Sequence, residues 1–466
     1  INETHLPRMT SNAKLDGRTK VGRPRITVIC YHRHKIVSKP YFIALEHLLL
    51  RLWLAGMRVV VVWLLLQLQT GKVGLAQHLE ARLDVVRRIL LETSLLMSHN
   101  DLPWNIRKFL KNQLINFRFA EDLRELSPWS RSTWSHTDLP RLREGMVAAT
   151  VLHFWSAYVP CSTQHLDAVQ LALEQIDIIR RLVAKYPGHM TLVTNTQGIK
   201  QAHETGMLAS LIGVEGGHAI GTSLGVLRML YQLGARYLTL THTCNVPWAD
   251  CSIADEPGHL PHIGGLSKFG TMVVREMNRL GMIVDLSHVS VPTMLDTLRI
   301  SRAPVIFSHS SAHALCNSSR NVPDHVLRLL AENGGLMMVA FYPHFISCSE
   351  SATLQDVVAH INHIRDVAGV DHVGIGAGYD GINITPFGLE DVSRYPYLLA
   401  ELLGSGRWTE ADLQKLAGKN LIRVFEKVEE VRDRLLARGE QPIDERIPVE
   451  DVYGRTYCRS LKGQTK

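Results

Sequence analysis

Six side chains of metal-ligating type stand directly after short apolar runs. His99 and Asp101 follow Leu95-Leu96-Met97, Glu215 follows Ala209 to Val214, and His242 follows Tyr237 to Leu240. His288 ends the run Gly-Met-Ile-Val-Asp-Leu-Ser-His, and His309 ends Ala-Pro-Val-Ile-Phe-Ser-His. Imidazole nitrogens and carboxylate oxygens are donors that zinc accepts, and two ions about 3.5–4 Å apart need several of them, with a carboxylate to bridge. His99 and Asp101 are two residues apart, so on an extended chain they point to the same side. The pattern predicts His99 and Asp101 on one ion, His288 and His309 on a second, Glu215 between them, and a shared activated water for hydrolysis. A lone histidine at a strand end is ordinarily a hydrogen-bonded loop residue. Recurrence carries the argument, because a local explanation must be repeated independently at each position. His218, His259, His262 and His313 are read as background among the 23 histidines.

Such a set needs strands that all end on one side of the molecule. Between His288 and His309, Ser290 can cap a helix with Pro292 in its first turn, and Val291, Met294, Leu295 and Leu298 keep helical spacing. This is a strand, helix, parallel strand unit, which places both strand ends on one rim, where barrels and open α/β sheets gather ligands. The same alternation recurs from Ala81 onward. Helical stripes are expected over 82–92, 166–186, 224–233, 269–280, 354–367, 398–403 and 409–436, with 105–145 polar and irregular. Apolar runs near residues 95, 147–155, 190, 209, 237, 283, 305, 336 and 373 give nine candidate strands, one more than a closed eight-stranded barrel holds. The expected fold class is α/β, a distorted TIM-like barrel over 81–437, with a charged, irregular tail over 438–466.

The net charge of +7 is no sign of nucleic-acid binding. Much of the excess lies in Lys14, Arg18, Lys20, Arg23, Arg25, Arg33, His34 and Lys35, a basic stretch without interleaved aromatics. Met57-Arg58, the apolar run through Leu66, and then Gln67, Gln69, Thr70 and Gly71 have the charged start, apolar middle and polar end of a secretory signal. That makes 1–56 an upstream extension outside the fold and 57–71 a signal-like segment. Seven cysteines, with no C-x-x-C pair among them, suit neither a structural zinc nor a disulfide scaffold.

The residues also carry a resemblance. His-Asn-Asp-Leu-Pro-Trp at 99–104, Phe-Trp-Ser-Ala-Tyr-Val-Pro-Cys at 154–161, Leu-Ile-Gly-Val-Glu-Gly-Gly-His at 211–218, Tyr-Leu-Thr-Leu-Thr-His-Thr-Cys-Asn at 237–245, Pro-Val-Ile-Phe-Ser-His-Ser at 304–310, Arg-Asn-Val-Pro-Asp at 320–324 and Gly-Leu-Glu-Asp-Val-Ser at 388–393 resemble the membrane (renal) dipeptidase family over residues 95–430. The resemblance implies a distorted amidohydrolase-type barrel with two zinc ions that hydrolyses dipeptides outside the cell, cysteinyl-glycine-type dipeptides and leukotriene D4 among them. It gives the ligand roles above to His99, Asp101, Glu215, His288 and His309, and substrate-binding roles to His242 and Arg320. It also implies disulfides Cys161 to Cys244 and Cys316 to Cys348, a homodimer joined through Cys458, and a glycolipid anchor where a hydrophobic tail exists. The expected location is the extracellular face of the plasma membrane, or the medium.

Three positions depart from the family pattern. Met97-Ser98 stands where the family writes Asp-Gly, and Ala-Thr-Val-Leu-His precedes Phe154 in place of small residues. The family's Gly-Asp-Phe-Asp-Gly or Gly-Asp-Tyr-Asp-Gly is here Ala377-Gly378-Tyr379-Asp380-Gly381. Gly378 thus replaces the aspartate that serves the family as acid/base, leaving Asp380 as the candidate catalytic carboxylate. The alternative expectation is a metal-binding surface protein of the same fold that turns substrate over poorly.

Overall fold

The computed structural model describes residues 77–93, 95–146, 152–161 and 166–446. The extension, the signal-like segment and Cys458 lie outside them. Ten strands form one sheet: β1 Leu96–Met97, β2 His99–Asn100, β3 Leu152–Tyr158, β4 Met190–Leu192, β5 Leu208–Glu215, β6 Ala235–Thr239, β7 Ile283–Asp285, β8 Ile306–Ser310, β9 Leu336–Ala340 and β10 Val373–Tyr379. Their order is β1-β3-β5-β6-β7-β8-β9-β10-β2, with β4 on the outside of β5, and every ladder is parallel.

The two ends of that order are neighbours in the chain. Leu96 and Met97 pair with β3, His99 and Asn100 pair with β10, and Ser98 is the break between them. β1 and β2 are therefore halves of one strand that closes the sheet into a ring. Counted so, and without β4, the ring has eight strands. The ninth expected strand, Met190–Leu192, is genuine but pairs only with β5.

Inside the ring, Phe154, Tyr237, Ile283, Ile306 and Met338 form one cluster with Leu421, Phe425 and Val428 of the helix Asn420–Ala437. Ile283 and Ile306 are the first residues of their strands, so this helix packs at the N-terminal end of the ring. The C-terminal end is left for chemistry. A second, larger cluster fills the layer between the strands and the surrounding helices.

Local signals act as the sequence requires. Ser290 accepts from the Thr293 N–H at the start of Val291–Ile300, a cap typically worth ~1 kcal/mol. Lys268–Leu280 ends at Gly281, whose φ of 78° is the left-handed C-cap that favours glycine. The stretch 105–145 differs from expectation, because helix Leu102–Leu110 fills its start and Leu139–Glu144 its end. The last helical region is likewise interrupted, by a wide turn at Lys415–Lys419. Among the described residues no helix is long and apolar enough to cross a membrane.

Candidate metal centre

His99 lies in β2, Asp101 immediately after it, Glu215 closes β5, and His309 is near the end of β8. His288 stands three residues beyond β7 at a φ of 72°. That left-handed conformation is costly for a non-glycine residue. It is held because the His288 carbonyl accepts from Ser252 N–H (2.7 Å) and from the Thr241 hydroxyl (3.1 Å).

The expected ligands converge. Glu215 Oε2 lies 3.4 Å from His99 Nε2, while Glu215 Oε1 lies 3.0 Å from His288 Nε2 and 3.3 Å from His309 Nε2. Asp101 Oδ2 is 3.2 Å from His99 Nε2, and the Nε2 atoms of His288 and His309 are 3.0 Å apart. Ligand atoms around a tetrahedral zinc at 2.0–2.1 Å stand about 3.3 Å from one another, so these spacings are of the right size. His242 belongs with Glu215 and His288 in a second group of donor atoms within 4.8 Å, and its ring centroid is 4.2 Å from that of His288.

The electrostatics fit a cation. Asp101 Oδ1 is buried with no hydrogen-bond partner among the described residues. Burial raises the Asp101 carboxyl, whereas at Glu215 the opposing pull of His99, His288 and His309 outweighs burial and holds the carboxyl well below its usual range. Burial drives His309 down to about 3, His242 to about 4 and His288 well below the ordinary imidazole value, so all three are neutral, the state in which His288 and His309 could bind a metal. His99 alone goes the other way: against its burial, Glu215 and Asp101 hold its imidazole well above the ordinary value. A proton on His99 there supplies positive charge that a bound cation would replace.

Residues to which the sequence assigned no role orient the candidate ligands. The Ser308 hydroxyl lies 2.6 Å from Asp285 Oδ2 and 2.8 Å from His309 Nδ1. A carboxylate only accepts, so Ser308 donates to Asp285 and accepts from His309 Nδ1–H. This fixes the tautomer that leaves Nε2 bare. Behind His99, the Tyr237 hydroxyl lies 3.0 Å from Nδ1. Tyr237 fits there because Gly213 has no side chain: a Cβ on it would come within 2.0 Å of the phenol ring.

Asp380 does not join the cluster. Its carboxylate accepts from the Thr137 hydroxyl, from Asn100 Nδ2 (3.1 Å) and from His136 N–H (3.3 Å), and its own N–H donates to His136 Nδ1 (3.0 Å). Burial pushes this carboxyl up to about 7. Gly378 lies on the cavity wall at a φ of 85°, and nothing stands within 4 Å of where a Cβ would be. Arg320 is buried, donating to Ser310 Oγ (3.2 Å) and the His309 carbonyl (3.2 Å), and its Nε has no partner among the described residues. Arg320, Gly378 and Asp380 line one cavity of about 520 Å³ together with His99, Asp101, Glu215, His242, His288 and His309. Cys161–Cys244 and Cys316–Cys348 are disulfides with Cα separations of 5.8 and 5.4 Å, and Cys251 is a buried free thiol. His218 is structural, with Nε2 2.8 Å from the Val159 carbonyl.

Imidazoles and carboxylates at the C-terminal rim of a parallel eight-stranded ring define a metal-dependent hydrolase of barrel fold. The sequence profile of membrane dipeptidase (peptidase family M19) matches residues 83–439, and the chain belongs to that family. It is 47% identical over 362 residues to Dipeptidase 3 of Mus musculus, covering 77% of this chain and 69% of that one. Against Dipeptidase 3 of Homo sapiens the figures are 45% over 368 residues, 78% and 70%. Among solved structures it is similar to a metallo peptidase from Rhodobacter sphaeroides liganded with a phosphinate mimic of L-Ala-D-Ala, at a TM-score of 0.62 and 26% identity, over 72% of this chain and 99% of that one. The chain is thus a metallopeptidase of the dipeptide-hydrolysing type.

Proposed function

We propose that the protein is a binuclear zinc dipeptidase acting outside the cell, with cysteinyl-glycine-type dipeptides and leukotriene D4 among its substrates. One arrangement carries the reading: Glu215 turns one oxygen toward His99 and the other toward His288 and His309, as a bridging carboxylate does. Zinc bound there supplies Lewis acidity and a water activated near neutral pH.

The chain's own groups supply the rest. Arg320, buried in the cavity wall, holds the C-terminal carboxylate of the dipeptide. His242 donates to the carbonyl oxygen as charge develops on it. Asp380, with its oxygens committed to Thr137, Asn100 and His136, positions the loop that carries Gly378 and is not the acid/base. The two disulfides suit an oxidising compartment.

A second reading, a metal-binding protein with feeble turnover, is favoured by the open space at Gly378 where no carboxylate stands. Elemental analysis combined with hydrolysis of a simple neutral dipeptide separates the two. Zinc near two per chain with ready turnover supports the enzyme, and zinc with turnover lower by about 10²–10⁴-fold, the usual worth of a general acid/base, supports the second. Glu215→Gln lowers the zinc content under either. Protein purified without chelators that holds no zinc overturns both.

A further inference from the structure

We propose that the end of the cavity bounded by Lys108, Trp134 and Gly378 is a subsite for an acidic side chain on the N-terminal residue of the dipeptide. The inference rests on the dipeptidase reading and deepens it. Lys108 is in the last turn of helix Leu102–Leu110, where the helix dipole favours a cation. Its ammonium stands 5.8 Å from the centroid of Trp134 and makes no ion pair or hydrogen bond among the described residues. The neighbouring Arg107 is by contrast committed to Glu174. Lys108 is therefore an uncommitted cation on the cavity wall, backed by an aromatic face.

Contacts through the site set the direction. Arg320 donates to the His309 carbonyl, His309 meets Glu215, Glu215 meets His99, and His99 meets Asp101, at the head of the helix that carries Lys108. A dipeptide whose carboxylate is on Arg320 and whose peptide bond is at Glu215 thus extends its first residue toward Lys108. Asn105, three residues before Lys108, donates to the Trp134 and Asp380 carbonyls and so ties this wall to the loop of Gly378, where nothing stands within 4 Å of the place a Cβ would take. Beside Arg320, whose charge is met by the dipeptide's own carboxylate, the further charge is negative: Glu256 lines the cavity and accepts from Ser319 Oγ at 2.8 Å. An acidic residue is favoured first and disfavoured second.

Glu-Ala, Ala-Glu and Gln-Ala test this. The first two carry the same net charge, so steering by the whole protein cancels between them. Glu-Ala should exceed both others in kcat/KM by about threefold, the range of a partly exposed ion pair. Lys108→Gln should bring Glu-Ala level with Gln-Ala, and Lys108→Glu should favour Lys-Ala instead. Glu-Ala no better than Ala-Glu, or an order untouched by either variant, overturns the proposal. Turnover of Ala-Ala reports separately on the dipeptidase reading. If Ala-Ala is not cleaved, the same comparison is made by calorimetric Kd on the metal-loaded protein: tighter binding of Glu-Ala supports the subsite, and equal binding overturns it.

Discussion

Ser308 spends its one proton on Asp285, at 2.6 Å, and so can only accept from His309. The tautomer of a proposed ligand is thus set by a serine on the far side of its ring. Ser308→Ala should weaken zinc binding by about 10–100-fold, as loss of such an orienting partner commonly does. Zinc titration with a competing chelator measures it, and an unchanged affinity would remove Ser308 from the centre.

Arg320 offers a planar cation already aligned by Ser310 and the His309 carbonyl. In Arg320→Lys a point charge cannot keep both hydrogen bonds and still reach the substrate carboxylate. KM should rise by roughly tenfold or more, with a smaller change in kcat, since this contact binds ground and transition states alike. A dipeptide amide, lacking the carboxylate, should be much less affected. Equal losses on both substrates would make Arg320 structural.

Gly378→Asp has open space for its side chain, and aspartate tolerates a φ of 85° better than most residues. On the reading of feeble turnover, an acid/base carboxylate placed there should raise kcat by up to about 10²–10⁴-fold while zinc content stays the same, and on the reading of ready turnover the gain should be small. In Asp380→Asn one of the two accepting oxygens becomes an NH2 group that faces a donor, so stability should fall by about 1–3 kcal/mol. If Asp380→Asn abolishes turnover at full stability and Gly378→Asp gains nothing, Asp380 is the acid/base.

His153 in β3 is fully buried, with neither ring nitrogen partnered among the described residues, and burial pushes its pKa down to about 3. Below the ordinary value of 6.5 the unfolded chain takes up a proton that the folded chain refuses. Stability contributed by the neutral ring is therefore present above pH 6.5 and lost as the pH falls toward 3. His153→Leu should raise stability near neutrality by about 1–3 kcal/mol, by removing unpaired polar atoms. Melting temperatures across pH 5–7 should fall less steeply in the variant. Parallel curves would place the acid sensitivity elsewhere.

The five residues proposed as ligands were legible as a set because in a parallel α/β chain the apolar runs end on one rim, and His99, Asp101, Glu215, His288 and His309 stand at those ends or within three residues of them. Their supports were not. Asp285, Ser308 and Tyr237 are ordinary strand residues until the register brings β7 beside β8 and the Tyr237 ring over Gly213. Helix Leu102–Leu110 starts without a side-chain cap for a related reason. Asp101 occupies its N-cap position yet makes no capping bond, because its carboxylate faces His99. One residue served two structural grammars, and only the chemical one was read. Met190–Leu192 has the composition of a ring strand, and only its one-sided pairing sets it apart.

The seam at Ser98 gives the ring a clasp. Among the described residues two ladder pairs stand on either side of it, and just past the break His99 meets both Asp101 and Glu215, the latter two strands away in the ring. A cation gripped by both sides would draw the clasp tight, so that loading the metal and fastening the hoop become one equilibrium. Stripping the ion should then loosen Leu96–Asn100 ahead of the long β3 and β5 ladder. Amide hydrogen exchange before and after chelation reads this directly, and equal protection along the seam in both states would mean that the hoop fastens without the ion.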